Sequence, residues 1–240
     1  MSNTDTVLEV RNLTRRFGGV AAVQDLAFDL VDGEVLGVIG PNGAGKSTLM
    51  ALLSGGLAPT HGEVFFDGRD VSRVGAALRA RRGLARTFQI PRPFAGLTVR
   101  QNLEIAHQHR FDDRFGSVDV VLEFCGLAAR AHVPSEELTH ADQRRLEFAR
   151  ALVTGPKVML LDELGAGLIA SEVEEFASLI RQVQSRGTTV IVVEHVMALV
   201  MGVSDRILVI DRGRLIALGT PDEIRANDDV IAAYLGGTEE

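Results

Sequence analysis

Three short groups of residues in this chain are suited to chemistry on phosphate. Gly40, Pro41, Asn42, Gly43, Ala44, Gly45, Lys46, Ser47 and Thr48 follow an apolar run (EVLGVIG) and precede a helix-like one (TLMALLSG), matching G-x-x-x-x-G-K-[ST] in its expected context. Gly43 and Gly45, without Cβ, let successive N–H groups turn onto oxygens, and the helix N-terminus adds partial positive charge. Lys46 would neutralise β and γ phosphates, and Ser47 would ligate Mg²⁺. The second group is Asp162 and Glu163, delivered by VMLLDE beyond a wholly apolar strand. Ligands of open parallel sheets lie beyond the carboxyl ends of strands, so acids and phosphate loop should converge. Asp162 would hold Mg²⁺ through water, and Glu163 would polarise an attacking water as general base. The third is His195, brought to the same edge by VIVVEH. A γ-phosphate contact and an ordinary solvated histidine both fit it.

These groups need strands with helices between them. AFDL alternates, with Leu26, Phe28 and Leu30 on one face before the turn Asp32-Gly33. EVLGVIG reads as a buried parallel strand, and GEVFFDG as another strand closed by Asp67-Gly68. From Arg73 to Ala149 charge and helical periodicity dominate, so 94–155 reads as a helical insertion. β character returns after Pro156 in VMLLDE, TTVIVVEH and RILVIDRGRLIALG, the last with a hairpin turn at Asp211-Arg212-Gly213. Between the first two lies a helix with Val173, Phe176, Ala177, Ile180 and Val183 on one face. Ser171 and Glu174 read as its capping box and Gly187 as its stop. Alternating strands and helices predict an α/β fold with a mostly parallel sheet. Arg79, Arg81 and Arg82 read as a solvated cationic face.

With 240 residues, 46% of them hydrophobic, the chain can bury a sizeable core. A net charge of −7 argues against wrapping nucleic acid, and one cysteine, Cys125, suits a reducing compartment. The first ten residues show no apolar signal segment, and Val196 to Val203 is far short of a membrane span. Action at a membrane would need another chain to cross it.

The order of these motifs resembles the ATP-binding cassette family, the cytoplasmic ATPase subunits of ABC transporters, over essentially the whole chain. That order runs from Gly40–Thr48 through TFQ at Gln89, Leu138–Arg145 and LLDE at Asp162–Glu163 to His195. RTFQ, PFAGLTVRQNL, DQRRLEFARAL, VEHVMALVMGVSDRILVI and the end GTPDEI…VIAAYLG are similar, more narrowly, to the ATPase subunits of branched-chain amino-acid importers. The resemblance implies a P-loop NTPase core with an N-terminal antiparallel β region and an inserted helical subdomain. One domain, 1–240, would divide into 1–93 (β region and first part of the core), 94–155 (helical) and 156–240 (second part). It implies ATP and Mg²⁺ as cofactors and ATP hydrolysis as the reaction. Phe17 would stack on adenine, the alternative being a core aromatic. Gln89 would contact Mg²⁺ and the attacking water, and His195 would be the switch histidine. Implied partners are a second ATPase subunit, two membrane permeases and an external binding protein, with no nucleic acid. The chain would sit peripherally on the cytoplasmic face of the inner membrane. Relatives of the class carry urea, amides and aromatic acids as well. The loop IPRPFAGLTVRQNL, with Phe94 and Leu97 partly exposed, would meet a short helix of a permease.

Two segments depart from the family. Leu138, Thr139, His140, Ala141, Asp142 and Gln143 occupy the signature segment, which faces the nucleotide of the other ATPase subunit, yet glycine is absent. A methyl at Ala141 hinders close backbone approach and disfavours positive φ. His140 would add a phosphate donor or simply be solvated. After Glu163, Leu164 replaces the usual proline, and Ile169 and Ala170 replace a polar residue and proline. Asymmetry follows as an expectation for a heterodimer: the site on Lys46 is active if the partner supplies a good signature, and the opposite one is impaired; in a homodimer both would be impaired. A regulatory cassette without turnover, and a soluble ABC protein outside transport, are the alternatives.

Overall fold

The computed structural model describes residues 6–235. The ends of the expected divisions 1–93 and 156–240, and Gly236 of the VIAAYLG match, lie outside these residues. The N-terminal strands β1 (Thr6–Phe17) and β2 (Val20–Val31) form a long antiparallel pair. With β4 (His61–Phe66) and β5 (Arg69–Asp70) they make a four-stranded antiparallel sheet, ordered β2-β1-β4-β5. Leu26, Phe28 and Leu30 all point into the core, as their alternation requires.

The second sheet holds the chemistry. It joins β3 (Val35–Ile39), β6 (Leu84–Arg86), β7 (Val158–Asp162), β8 (Thr189–Val193), β9 (Arg206–Asp211) and β10 (Arg214–Gly219) in the order β10-β9-β3-β8-β7-β6. All neighbours are parallel except β9 and β10, joined by the hairpin turn at Arg212 and Gly213, both at positive φ. β3, β7 and β8 are buried on both faces, which explains their unbroken apolar runs. On β7, Val158 and Leu160 face the core shared with the first sheet, while Met159 and Leu161 face the helical side. One strand thus joins the two larger cores.

α1 (Lys46–Leu53) follows β3 directly. α2 (Ala76–Arg81) precedes β6; α3 (Val99–His107), α4 (Val118–Phe124) and α5 (His140–Leu152) follow it. α6 (Ala170–Ser185) and α7 (Met197–Val203) flank β8, and α8 (Pro221–Arg225) and α9 (Asp228–Leu235) end the described chain. Phe148 of α5 meets Phe176 of α6 edge-on, ring centroids 6.0 Å apart, locking the helical layer against the sheet. Among the described residues no helix is long and apolar enough to cross a membrane.

Three readings of the sequence need correction. The stretch from Arg73 to Ala149 also contains β6, whose three residues are too few to show alternation; its pairing with β7 makes it a strand. The capping box at Ser171 and Glu174 is displaced: α6 begins at Ala170, with Ile169 as N-cap, and the Glu172 carboxylate accepts the Ile169 N–H at 3.0 Å. Arg79 is not part of a solvated face. It is fully buried and donates to the carbonyls of Leu52 (2.8 Å) and Leu53 (2.7 Å) at the end of α1, and to Val74 (2.9 Å). Burial pushes its pKa down to about 10. Carbonyls rather than a carboxylate satisfy this cation, so charge pattern alone could not reveal its position.

Candidate functional site

The phosphate loop runs from the end of β3 into α1. Gly45, the N-cap, sits at φ +107°, where a Cβ would lie 2.2 Å from the Ala22 carbonyl oxygen. Its need for glycine is therefore set by the backbone of β2 as well as by any ligand. Gly43 is at φ +79° with open space where a Cβ would stand, leaving that side of the loop free for oxygens. No side chain caps α1, so its first amides remain available. The Lys46 Nζ donates to Gly40 O at 2.6 Å and Pro41 O at 3.1 Å. Burial lowers its pKa, opposed by the charges of Glu163 and Asp162. Asn42 to Thr48, Ala22 and Glu163 line a cavity of about 210 Å³.

The acids arrive from β7 as the strand predicts. Asp162 is buried at its end, its N–H held by Thr87 Oγ1 at 3.1 Å, while Glu163 turns away at φ +49°. Gln89 Nε2 donates to Glu163 Oε2 at 2.6 Å, so loop, glutamate and glutamine meet at one place. His195 reaches the same sheet edge but is exposed, with no side-chain hydrogen bond to Glu163 or the loop among the described residues. Phe17 is 47% exposed and outside the loop cavity, with the Arg15 guanidinium 4.7 Å from its ring centroid. It is not a core aromatic.

The signature segment is built differently. Thr139 caps α5, its Oγ1 accepting the Asp142 N–H at 3.1 Å. Thr139 and His140 are exposed, Leu138 is buried, and Gln143 reaches back to the Leu138 carbonyl at 3.4 Å. Leu138, Thr139 and Asp142 line a cavity of about 70 Å³ separate from the phosphate loop. The His140 imidazole lies 3.4 Å from where a Cβ on Gly167 would stand, against the turn that follows Glu163. In that turn Leu164 is buried in the core and Ile169 is 66% exposed.

Four charged residues join the site without having been read from the sequence. Glu147 and Arg144, both buried on α5, clamp the Gln89 segment. Glu147 accepts the N–H groups of Phe88 (3.2 Å) and Arg92 (3.4 Å), and Arg144 donates to the Gln89 carbonyl. Glu194, just before His195, is buried, accepts the Gly165 N–H at 2.5 Å and has no partner for its Oε2 among the described residues. Burial raises its pKa, and its carboxylate stands within 3.4 Å of where a Cβ on Gly165 would be, so glycine permits this approach. Arg86, at the end of β6, pairs with Asp162 at 2.8 Å. Arg86 also lines a groove of about 460 Å³ with Arg81, Arg92 and Arg150 over an apolar floor that includes Ala77, Ala80 and Ala85. The only available sequence signal was proximity: Arg86 stands three residues before Gln89, and Glu194 beside His195.

A parallel sheet with a glycine-rich loop between β3 and α1, and two acids at the end of β7, defines a P-loop nucleotide-binding protein. The model of the ABC transporter family matches residues 23–166, and that of the branched-chain amino acid ATP-binding cassette transporter matches residues 214–240. The chain is 40% identical to the high-affinity branched-chain amino acid transport ATP-binding protein LivG of Salmonella typhimurium, covering 96% of this chain and 98% of LivG. It is 38% identical to BraF of Pseudomonas aeruginosa at the same coverage. Its fold is similar to a crystal structure of the ADP conformation of an ATP-binding cassette of an ABC transporter, with TM-score 0.86, 27% identity and coverage of 96% and 99%. The chain belongs to the ABC transporter family, as an ATP-binding subunit with the ABC ATPase fold.

Proposed function

We infer that the chain hydrolyses ATP to ADP and phosphate at the site built on Lys46, and that this powers import of branched-chain amino acids or a related small solute. The observation that carries the reading is the Gln89–Glu163 hydrogen bond of 2.6 Å on the wall of the loop cavity. It joins a candidate base to a segment that leads into the arginine-lined groove.

The residues fit ATP with Mg²⁺. The open side of the loop at Gly43 and the uncapped amides of α1 suit phosphate oxygens, while Ser47, Asp162 and Gln89 offer the hard oxygen donors that Mg²⁺ prefers. The ion would neutralise charge on the β and γ phosphates. Lys46 would exchange its carbonyl partners Gly40 and Pro41 for phosphate. Glu163 would take the proton of the attacking water, with Gln89 orienting its carboxylate. His195 would contact the γ-phosphate, and the exposed face of Phe17 would stack on adenine.

Leu138, Thr139, His140, Ala141, Asp142 and Gln143 would complete the site of a second ATPase subunit. Exposure of Thr139 and His140 supports that reading. In a heterodimer with a second ATPase subunit, the Ala141 methyl and the apolar Ile169 would weaken that second site and leave one stronger site. One of two permeases would dock in the groove, the other on the second ATPase subunit. The groove's arginines suit an acidic helix, and Phe94, 43% exposed, suits an apolar one beside it. An external binding protein would supply the solute, and the chain would work at the cytoplasmic face of the inner membrane. Uptake of radiolabelled leucine by vesicles holding the assembled complex tests this. ATP-driven uptake lost with Glu163→Gln is expected; uptake that survives it sinks the reading.

Ile169 and Ala141 also favour a second reading, a regulatory cassette that binds ATP without turnover. ATP recovered uncleaved from the complex after prolonged incubation would establish it.

A further inference from the structure

Arg86 stands at a junction. Its Nη2 pairs with Asp162 Oδ2 at 2.8 Å, and its Nη1 donates to Ser54 Oγ at 3.1 Å, at the C-cap of the phosphate-loop helix. The same side chain forms part of the groove wall, close to the ring of Phe88, 5.4 Å from its centroid. Its Nε is buried without an acceptor among the described residues. The guanidinium is therefore incompletely satisfied in place, and would gain a hydrogen bond by turning towards an acceptor brought into the groove.

Asp162 is one of the oxygen donors suited to a divalent cation. While Arg86 holds it, one carboxylate oxygen is spent and a positive charge stands beside the place a cation would take. Both effects weaken divalent binding in a poorly solvated site, and the Asp162 side chain is only 7% exposed. The groove walls also carry the cations Arg81, Arg92 and Arg150, with Glu147 already engaged by Arg150 at 3.1 Å. An acidic group entering there meets arginines that its carboxylate can bind through paired N–H groups.

We propose that Arg86 is a positioning residue that restrains Asp162 while the groove is empty, and that an acidic group of the docked permease draws the guanidinium away and frees Asp162 for the metal. The proposal rests on the docking reading above. It makes divalent-cation affinity depend on assembly, so a lone subunit binds the metal about tenfold more weakly than an assembled one. A purely structural tie between β6 and β7 would do none of this; cutting it would only loosen the site.

The test is Mn²⁺ titration of the isolated ADP-bound protein, read by electron paramagnetic resonance and needing no turnover. Arg86→Gln should bind Mn²⁺ about tenfold tighter than the unmodified protein, the scale of one charge-assisted hydrogen bond. Arg86→Lys, which keeps the charge, should stay close to the unmodified affinity. Arg86→Gln binding Mn²⁺ no tighter, or more weakly, overturns the proposal. A second measurement needs no variant at residue 86: the unmodified protein assembled with its permeases should gain the same factor of about ten. No gain on assembly overturns the link to docking. Ala80→Trp, which fills the groove, separates the two failures. If the tryptophan variant assembles normally, the docking reading has failed, whatever the Arg86→Gln titration shows.

Discussion

The two regions proposed to face nucleotide differ in construction. The first, around Lys46, Asp162 and Glu163, is anchored in buried parallel strands and bonded across elements, β6 to β7 through Arg86 and Asp162 and the Gln89 segment to Glu163. The second, at Thr139 to Gln143, is a partly exposed helix start held by its own cap, by the Arg130–Asp142 pair at 3.8 Å and by His140 against the turn at Gly167. A catalytic group needs its position fixed to a fraction of an ångström, which a buried sheet supplies. An element that approaches a nucleotide on another subunit needs accessible backbone instead. The two are nevertheless joined, because α5 carries the signature-like segment at its start and grips the Gln89 segment through Arg144 one turn later and Glu147 about two turns later.

Changes in the two regions should therefore differ in kind and size. Lys46→Ala removes the cation of the first region, and ATP affinity measured by fluorescent-nucleotide titration should fall roughly 100-fold, the loss of about two charge-assisted hydrogen bonds. Phe17→Ala should weaken ATP binding about tenfold, as expected for a lost base–aromatic stack, and leave kcat unchanged. A change in kcat would place the ring elsewhere in the cycle. In the second region, Ala141→Gly should raise turnover of the assembled complex about two- to threefold, a fraction of a kcal/mol in the barrier. The same substitution should not alter nucleotide affinity of the isolated subunit. If it does, the two regions are not separate.

The smallest effect is expected between them, at Glu194. Its folded pKa is raised by burial, so the stability it contributes is fully present below the unfolded pKa and is lost as pH rises towards the folded one. Glu194→Gln, which keeps an acceptor for the Gly165 N–H, removes that loss. Its Tm advantage over the unmodified protein should grow as pH rises above the ordinary glutamate value of 4.5. An advantage that stays flat would mean that Glu194 titrates alike in both states.

What could be read in advance follows the same division. The phosphate loop and the acids of β7 were legible because their chemistry depends on spacing along one strand and one turn, and the strands because burial on both faces demands unbroken apolar runs. Arg79, Arg86, Arg144, Glu147 and Glu194 were not. Charged residues usually face water, and nothing local to the sequence marks those whose partners come from distant segments. β6 was missed because three residues carry no period, and the start of α6 because Ile169 offers no side-chain acceptor to announce a cap.

The unequal strength of the two regions is open to one direct measurement: steady-state ATPase of the assembled complex with Glu163→Gln, compared with the matching change in the second ATPase subunit. Glu163→Gln should lower turnover by at least about 100-fold, the usual contribution of a general base, while the change in the other subunit leaves most of it. Turnover that survives Glu163→Gln and disappears with the other change would contradict the assignment of the active site to this chain.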